Sequence, residues 1–422
     1  MKPDCTNRLN PPGGDDPTGP AGGRPPTRLS RQPADIAGPP APVASGSACA
    51  TLRAQVGVTV TIGDEISRDE ILRQALASLA PGTPLRDGIE RILRARTGAL
   101  IVLGSEGIDD RIAGGGFTID VEFTASRLRE LAKMDGAVVL TADLARIDRA
   151  AVQLLPDPQI PTEETGTRHR TADRVAKQTG LPVVSVSKSM DTAALYVDGT
   201  RFVLEETSVI LARANQAVAT LERYRGRLDE VAGSLSALEI EDVVTVRDVA
   251  LFAQRLEMVR RIAGEVDGYL VQLGVNGRLL ALQCDELVGG VDAERVLLVR
   301  DYLPGSDTRE AAAEPVLLAL DRLTGEQLLD LQVVGGALGF PTGLEGLDNG
   351  VSARGYRLLG GIPRLPDVLA DRIIEHFQSL QALLAATVAD LQAVDGVGDL
   401  RARSIRDAIS RVAETSILER YS

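Results

Sequence analysis

Residues 133–199 read KMDGAVVLTADLARIDRAAVQLLPDPQIPTEETGTRHRTADRVAKQTGLPVVSVSKSMDTAALYVDG. Within this stretch, the tripeptide DGA at 135–137 opens into the apolar run VVL at 138–140, which predicts a strand. The pentapeptide TRHRT at 167–171 follows a loop with Pro and Gly and leads into a helical pattern. Strands that alternate with helices in this way predict an α/β domain, and the two short motifs are its candidate functional residues.

The pentapeptide places cations and hydroxyls at a predicted helix start. Arg168 and Arg170 offer planar two-point donation, and Thr167 and Thr171 add hydroxyl donors. The first amides and the dipole of a helix favour negative charge at the same place. The combination suits a polyphosphate, although arginine runs are more often solvated faces and a lone histidine such as His169 is more often structural.

Asp135 stands at the entry of the predicted strand. Its carboxylate could hold a divalent metal against the same phosphates. An acidic residue before a glycine is often only a turn residue, however. The residues alone leave both alternatives open.

The two motifs resemble the DGA and RHR motifs of the diadenylate cyclase (DAC) domain family, in the same order and with the intervening loop LLPDPQIPTEETG. The string GTRHRTADRVAKQTG is long and specific, and the similarity runs from about Gly57 to the C-terminus. The resemblance implies a multi-domain protein. It would combine an α/β cyclase domain, whose mixed central sheet is flanked by helices, with an all-α linker and an all-α C-terminal helix-hairpin-helix domain.

The resemblance also implies an activity. Two ATP molecules would be condensed into cyclic di-AMP with release of two pyrophosphates, and Mg²⁺ or Mn²⁺ would be the cofactor. Each cyclase domain would bind one ATP, and two domains would meet face to face. The implied assembly is a homo-octamer with the cyclase domains at its centre.

Site residues follow from the resemblance by position. Asp135 would hold the metal beside the attacking hydroxyl, and Leu154 would pack on adenine. The implied catalytic residues are Asp135, Arg168, His169 and Arg170. The implied nucleotide-binding residues are Gly136, Ala137, Leu154, Thr167, Thr171 and Ser187.

Four segments divide the chain. Residues 1–50 are rich in Pro and Gly and are predicted to be disordered. The cyclase domain is expected at 57–204, a helical linker at 205–320 and a helix-hairpin-helix domain at 321–422. Inside the cyclase domain, we predict helices from about 65, at 85–96, at 126–133 and at 171–179, and strands at 99–103, from 137, at 181–187 and at 193–197.

Long apolar stripes mark the linker. Residues 249–270 and 211–235 each follow an alternating spacing of three and four, interrupted in the second stripe by Arg225. An intermolecular coiled coil is one interpretation. We favour the commoner one, a helix that packs inside an intramolecular bundle and forms a spine.

The C-terminal segment matches helix-hairpin-helix motifs similar to the tandem pair of RuvA-like domains. Such hairpins use glycines for a close approach of backbone to phosphate and aim helix amides at that phosphate. Hairpins of this kind also serve as protein-packing modules. The implied DNA-binding residues are Gly361, Arg364, Gly396, Gly398, Arg401 and Arg403, and the implied ligand is branched, Holliday-junction-like DNA.

Composition limits these interpretations. The formal net charge of −13 excludes a global attraction to DNA, so contacts with phosphates must be local. Three cysteines without CxxC spacing, and only two histidines, argue against disulfide and zinc sites and fit a reducing cytoplasm. No apolar run approaches the roughly 18 residues of a membrane span.

Two other functions compete with a DNA-responsive cyclase. A non-catalytic scaffold that binds nucleotide and DNA would need the same motifs without turnover. A repair nuclease or ligase subunit would need an acidic cluster or a nucleophilic lysine motif, and the sequence shows neither. Branched DNA is expected to inhibit the cyclase, as the resemblance implies.

Overall fold

The computed structural model describes residues 68–109, 111–303, 310–341, 343 and 346–420, with side chains omitted for 310 and 412–420. The predicted disorder of residues 1–50 and the start of the predicted cyclase domain lie outside the described residues. None of the helices described combines the length and the apolar character needed to cross a bilayer.

The N-terminal part of the described chain is built on one sheet. Its strands are β1 (Ala99–Leu103), β2 (Ala113–Gly114), β3 (Phe117–Glu122), β4 (Ala137–Leu140), β5 (Arg146–Leu154), β6 (Val183–Ser187), β7 (Thr192–Val197) and β8 (Thr200–Val203). The order is β2-β5-β4-β1-β6-β7-β8, and β3 also pairs with β5. Because β1 and β4 are parallel and the other pairs are antiparallel, the sheet is mixed, as predicted.

Helices cover both faces of the sheet. They are α1 (Arg68–Ser78), α2 (Pro84–Arg94), α3 (Ala125–Leu131) and α4 (Thr167–Thr179). Successive side chains of β1 point to opposite faces, so Ile101 packs under α1–α3 and Leu100 packs under α4. The central strands are therefore buried on both faces, which explains their nearly continuous apolar runs.

Several local features differ from the predictions, and among them strands β2, β3 and β8 were not predicted. The helix of the TRHRT motif begins at Thr167 and not at Thr171, because its first turn is polar and shows no apolar period. Strand β5 was not predicted at all. Ala151 adopts a left-handed φ of 55° where the pairing register shifts, and this bulge breaks the alternation by which a strand is recognised.

Two long helices form the spine, α5 (Thr207–Glu241) and α6 (Val246–Leu273). Their predicted stripes are buried against each other within one chain, for example at Leu221 and Leu256. The prediction of an intramolecular bundle is confirmed. Arg225, which interrupts the first stripe, donates to the carbonyl oxygens of Leu287 and Gly289.

The remaining described residues are mainly helical. They comprise a 3-10 turn (Gly274–Gly277), α7 (Arg278–Val288), α8 (Val291–Tyr302), α9 (Glu310–Arg322), α10 (Gly325–Leu328), α11 (Leu331–Ala337), a 3-10 turn (Gly346–Asp348), α12 (Tyr356–Gly360), α13 (Asp367–Phe377), α14 (Leu380–Ala385), α15 (Val388–Gln392) and α16 (Asp399–Arg420). One apolar core runs from Ile210 to Leu380, and a second joins α12–α16. The predicted segment boundaries stay predictions.

Candidate nucleotide site

Strand directions bring distant predicted residues to one edge of the sheet. Since β5 and β6 run antiparallel to β4 and β1, the starts of β1 and β4 lie beside the ends of β5 and β6. This edge, called here the site edge, carries Gly98, Asp135, Leu154 and Ser187. Three of these four residues were predicted from sequence, and the topology places them together.

The guanidinium of Arg168 reaches the site edge from α4. A Cβ at Gly98 would lie 2.2 Å from Arg168 Nη1, so the arginine rests on the bare backbone that precedes β1. Sequence reasoning treated Gly98 only as the end of a helix. The structure shows that Gly98 also leaves space for the guanidinium of Arg168, because any side chain at this position would displace it.

The charged side chains at the site have no ion-pair partner among the described residues. Asp135, Arg168 and Arg170 are exposed, and none of them forms an ion pair with another described residue. Gly166 caps α4 without a side-chain hydrogen bond, so the first amides of the helix remain open to a ligand. An uncompensated carboxylate, two arginines and an open helix start are the parts that a metal–polyphosphate complex requires.

Both threonines of the motif lie in the first turn of α4. Thr167 is exposed, and the Oγ1 of Thr171 donates to the carbonyl oxygen of Thr167 at 3.0 Å. His169 differs from its neighbours because it is buried and its Nδ1 lies 2.9 Å from Tyr196 Oη. Burial lowers the pKa of His169, although the charge of Glu164 opposes that effect.

Gly136 makes the tightest backbone approach near the site. Its φ is +111°, and a Cβ would lie 2.6 Å from the carbonyl carbon of Ala151, inside the bulge of β5. Ala137, which follows, is fully buried. The DGA motif therefore has a glycine here for a steric reason, and the bulge fixes where Asp135 leaves the sheet.

Gly136→Ala is expected to lower stability by about 1–3 kcal/mol and to reduce nucleotide binding, because both the clash and the positive φ must be relieved. Gly107→Ala is the matched control, since Gly107 has a φ of +88° but nothing within 4 Å of its would-be Cβ. Thermal melts and nucleotide titrations measure both effects. A larger loss in the control would contradict this account.

Leu154 and Ser187 end their strands at the site edge. Leu154 is 8% exposed and packs in the core beneath α4. Ser187 is also 8% exposed, and its hydroxyl lies 3.3 Å from Ser189 Oγ and accepts from the amide of Met190. Both side chains therefore border the site with only a small accessible surface.

Comparisons with known proteins match this architecture. The family model "DisA bacterial checkpoint controller nucleotide-binding" matches residues 86–201, the "linker region" model of the same controller matches 204–347, and "Helix-hairpin-helix motif" matches 357–417. The DNA integrity scanning protein DisA of Streptomyces avermitilis is 62% identical over 360 residues, which cover 85% of this chain and 96% of the relative. The chain belongs to the DisA family.

Other relatives agree with this assignment. The DNA integrity scanning protein DisA of Frankia alni is 62% identical over 353 residues, covering 84% of this chain and 98% of the relative. Among solved structures, DacA from Staphylococcus aureus is 25% identical, covers 34% of this chain and 93% of its own, and has a TM-score of 0.26.

In this DisA-family chain, α13 contacts the glycine-containing turn of the second hairpin. Arg372 of α13 donates from Nη1 to the carbonyl oxygen of Asp395 at 3.2 Å, and Leu369 contacts the position of a Cβ at Gly396. Gly396 has a φ of +89°, and Gly398 has open space around it.

The charges around the hairpin turns are mixed. Arg364, in the first hairpin beside Gly361, is exposed and has a left-handed φ of 63°. Arg401 donates to the carbonyl oxygen of Gly396 at 3.1 Å, and Arg403 pairs with Asp399 at the start of α16. The carboxylate of Asp399 lies in the first turn of α16, so it would repel a phosphate that approached this helix start.

Sequence reasoning missed Gly98, Glu164, Tyr196 and Arg201 near the site. A buried tyrosine hydroxyl needs a partner, so a tyrosine inside the apolar run of β7 was the available signal for Tyr196. No comparable signal marks the others, because their contacts join residues that are distant in sequence.

Proposed function

We propose that the chain is a diadenylate cyclase that converts two ATP into cyclic di-AMP and two pyrophosphates. The observation that supports this best is that Asp135 and Arg168 come to the same site edge, where Arg168 lies against Gly98, and that neither has an ion-pair partner among the described residues. An arginine that only faces solvent does not need a glycine to pack against. An arginine that binds phosphate must be held in one position, and the packing against Gly98 provides this.

The reaction requires positioning and charge neutralisation. The 3′-oxygen of one nucleotide bonds to the α-phosphorus of the other and loses its proton, while the bond from that phosphorus to the pyrophosphate oxygen breaks. A second, identical step closes the ring. The protein supplies no covalent nucleophile, so catalysis rests on geometry and on electrostatic stabilisation of the leaving pyrophosphate.

Each motif has a distinct task in this proposal. The guanidinium groups of Arg168 and Arg170, with the open amides of α4, hold the phosphate chain and balance its growing charge. Gly136 and Ala137 keep the backbone close to the nucleotide. Asp135 lies beside the reacting oxygen.

The donor set fits Mg²⁺ or Mn²⁺. These ions are bound by one or two carboxylates together with substrate phosphates, and Asp135 is an exposed carboxylate without a protein partner among the described residues. The described residues contain no cluster of three or more His, Cys, Asp or Glu that would hold an ion without substrate. A bound ion would neutralise phosphate charge and lower the pKa of the 3′-hydroxyl.

A second copy would complete the site. Each domain presents one nucleotide, and condensation needs two nucleotides face to face. Met134, Leu155 and Met190 are 40%, 56% and 55% exposed and stand next to Asp135, Leu154 and the end of β6. Exposed apolar side chains around a charged site fit a surface that another copy covers, as the proposed homo-octamer requires.

Incubation with ATP and Mn²⁺ or Mg²⁺, followed by chromatography, tests the reaction. We expect a cyclic dinucleotide and two pyrophosphates for each product molecule, made only by an oligomer in size-exclusion chromatography. Nucleotide that is bound but unchanged would favour the non-catalytic scaffold. A monomer that forms product would contradict the face-to-face site.

Arg168→Ala and Arg170→Ala are each expected to weaken ATP binding about tenfold or more, because each removes a charge-assisted contact with phosphate. Arg129→Ala is the control, since Arg129 is an exposed arginine of the same domain whose partner is Glu130. Nucleotide titration and turnover measure the effect. Unchanged ATP affinity and turnover rate in both variants would show that these arginines only face solvent and do not bind phosphate.

We also propose that the hairpin unit binds the DNA backbone and that branched DNA lowers the cyclase rate. Support comes from the contact between α13 and the turn at Gly396, from the open space at Gly398 and from the continuous helix α6 between the two ends. Helix α6 has 28 residues, about 42 Å at 1.5 Å per residue. A protein that uses ATP and chromosomal DNA would work in the cytoplasm.

Gly398→Ala is expected to weaken binding of branched DNA several-fold and to relieve the inhibition, because its methyl group would stand between backbone and phosphate. Gly226→Ala is the matched control, since both glycines have open space around the added methyl group. Fluorescence anisotropy and cyclase assays at fixed salt measure the two effects. A branched duplex that binds without changing the rate would refute the coupling.

A further inference from the structure

A row of polar groups runs from the buried side chains of His169 and Tyr196, through the half-buried Glu164, to the exposed Arg201. Tyr196 Oη is 2.9 Å from His169 Nδ1 and donates to Glu164 Oε1 at 2.9 Å, and Glu164 lies 3.4 Å from Arg201 Nη1. These four residues, called here the relay, come from α4, β7, the preceding loop and β8. The relay therefore ties the loop before α4 to the far strands of the sheet.

Proton positions in the relay follow from counting donors. Tyr196 has one hydroxyl proton and gives it to Glu164, so its oxygen accepts from the Nδ1–H of His169. Burial and the charge of Glu164 raise the pKa of Tyr196, so the phenol stays protonated. In the neutral ring of His169, the lone pair is then on Nε2.

The Cδ2 edge of the ring, next to Nε2, faces Gly166 at the start of α4. A Cβ at Gly166 would lie 3.3 Å from His169 Cδ2, the carbon bonded to Nε2. Gly166 is also the uncapped N-cap residue of α4, where the phosphates are placed by the proposed function. A lone pair cannot donate to a phosphate, so His169 contacts one only after Nε2 gains a proton.

We propose that Glu164, Tyr196 and Arg201 are positioning residues that hold Nδ1–H of His169, so that Nε2 takes up a proton and donates to the phosphate chain when nucleotide binds. This rests on the proposed nucleotide site. The charged groups around His169 are Glu164, which favours the proton, and Arg168 and Arg201, which oppose it. Bound phosphate adds negative charge and shifts this balance toward the imidazolium.

The sign of the pH effect follows. Because the protonated ring binds and the free ring is neutral, ATP affinity falls as pH rises from 7 to 8.5, by at most about tenfold per pH unit for one proton. AMP lacks the outer phosphates and is expected to show a weaker dependence. Loss of the Tyr196 hydroxyl frees the ring to carry its proton on Nε2 without uptake, which flattens the ATP curve.

Tyr196→Phe tests the relay in the full chain, by titration with ATP and AMP between pH 7 and 8.5. We expect about tenfold weaker ATP binding at pH 7, because a neutral Nε2–H replaces the charged imidazolium as donor, together with a flatter pH dependence and unchanged AMP binding. Tyr302→Phe is the matched control, because it removes another buried tyrosine–glutamate hydrogen bond, 2.7 Å to Glu239, outside the cyclase domain.

Three results would overturn the inference. Wild-type ATP affinity and pH dependence in Tyr196→Phe would show that the relay does not position His169. An equal loss for ATP and AMP would reduce the relay to support of the fold. Failure of the unaltered protein to bind ATP would instead contradict the proposed function, and this inference with it.

Discussion

Asp135→Asn is expected to reduce synthesis of the cyclic dinucleotide by at least about 100-fold and to leave the fold and most ATP binding intact. Asparagine keeps the size of the side chain but removes the charge that would hold a divalent cation at the reacting oxygen. Asp135 is exposed and bonds to no other described side chain, so its replacement removes no folding contact. Product formation, ATP titration and thermal melts measure the three quantities.

Asp120→Asn is the control for this change. Asp120 is an exposed aspartate of the same domain that pairs with Arg146, so the variant has the same change in net charge away from the site edge. We expect its cyclase rate to remain near that of the unaltered protein. Full activity in Asp135→Asn would remove this carboxylate from the mechanism and leave it as a turn residue.

The sequence predicted the parts of the site that are local. Asp135-Gly136 and Arg168 are read from contiguous motifs, and strand topology then places both at one edge. The bare backbone at Gly98 was not predictable, since it faces a side chain seventy positions away. The same holds for His169, whose partner Tyr196 belongs to another strand.

The fold was predictable where the apolar residues follow one regular spacing. The apolar runs of β1, β4 and β6 and the stripes of α5 and α6 are strong signals. Strand β5 was missed because its bulge at Ala151 breaks the period. The packing of the hairpin helices α12–α16 on the spine could not be predicted either. It depends on contacts between buried charged residues that are more than fifty positions apart in sequence.

Those charges form the joint between spine and hairpins, defined by Glu239, Asp301, Tyr302 and Arg357. Arg357 donates from Nη1 to Glu239 at 2.8 Å and lies over the ring of Phe252. Asp301 accepts from the first amides of α12, including that of Arg357 at 2.8 Å. Burial, followed by the charge of Glu239, raises the pKa of Asp301 to about 6, whereas the amides oppose the rise.

Arg357→Met is expected to lower the free energy of unfolding by about 3–5 kcal/mol, because it leaves Glu239 and Asp301 buried without their cation. The side chains of Arg357 and Glu239 are 7% and 6% exposed, so water cannot replace the lost partner. Urea unfolding near pH 7 measures the change. Glu239→Gln in the same chain should recover part of the loss, since it removes one uncompensated charge.

Arg247→Met is the matched control for the joint. Arg247 joins α6 to Asp348 at 2.8 Å, but these side chains are 48% and 69% exposed, so we expect a change of less than about 1 kcal/mol. If the joint transmits the effect of DNA binding to the cyclase domain, the double variant Arg357→Met with Glu239→Gln should fold but its cyclase rate should respond less to branched DNA. Equal destabilisation by Arg247→Met and Arg357→Met would show that burial does not set the strength of this connection.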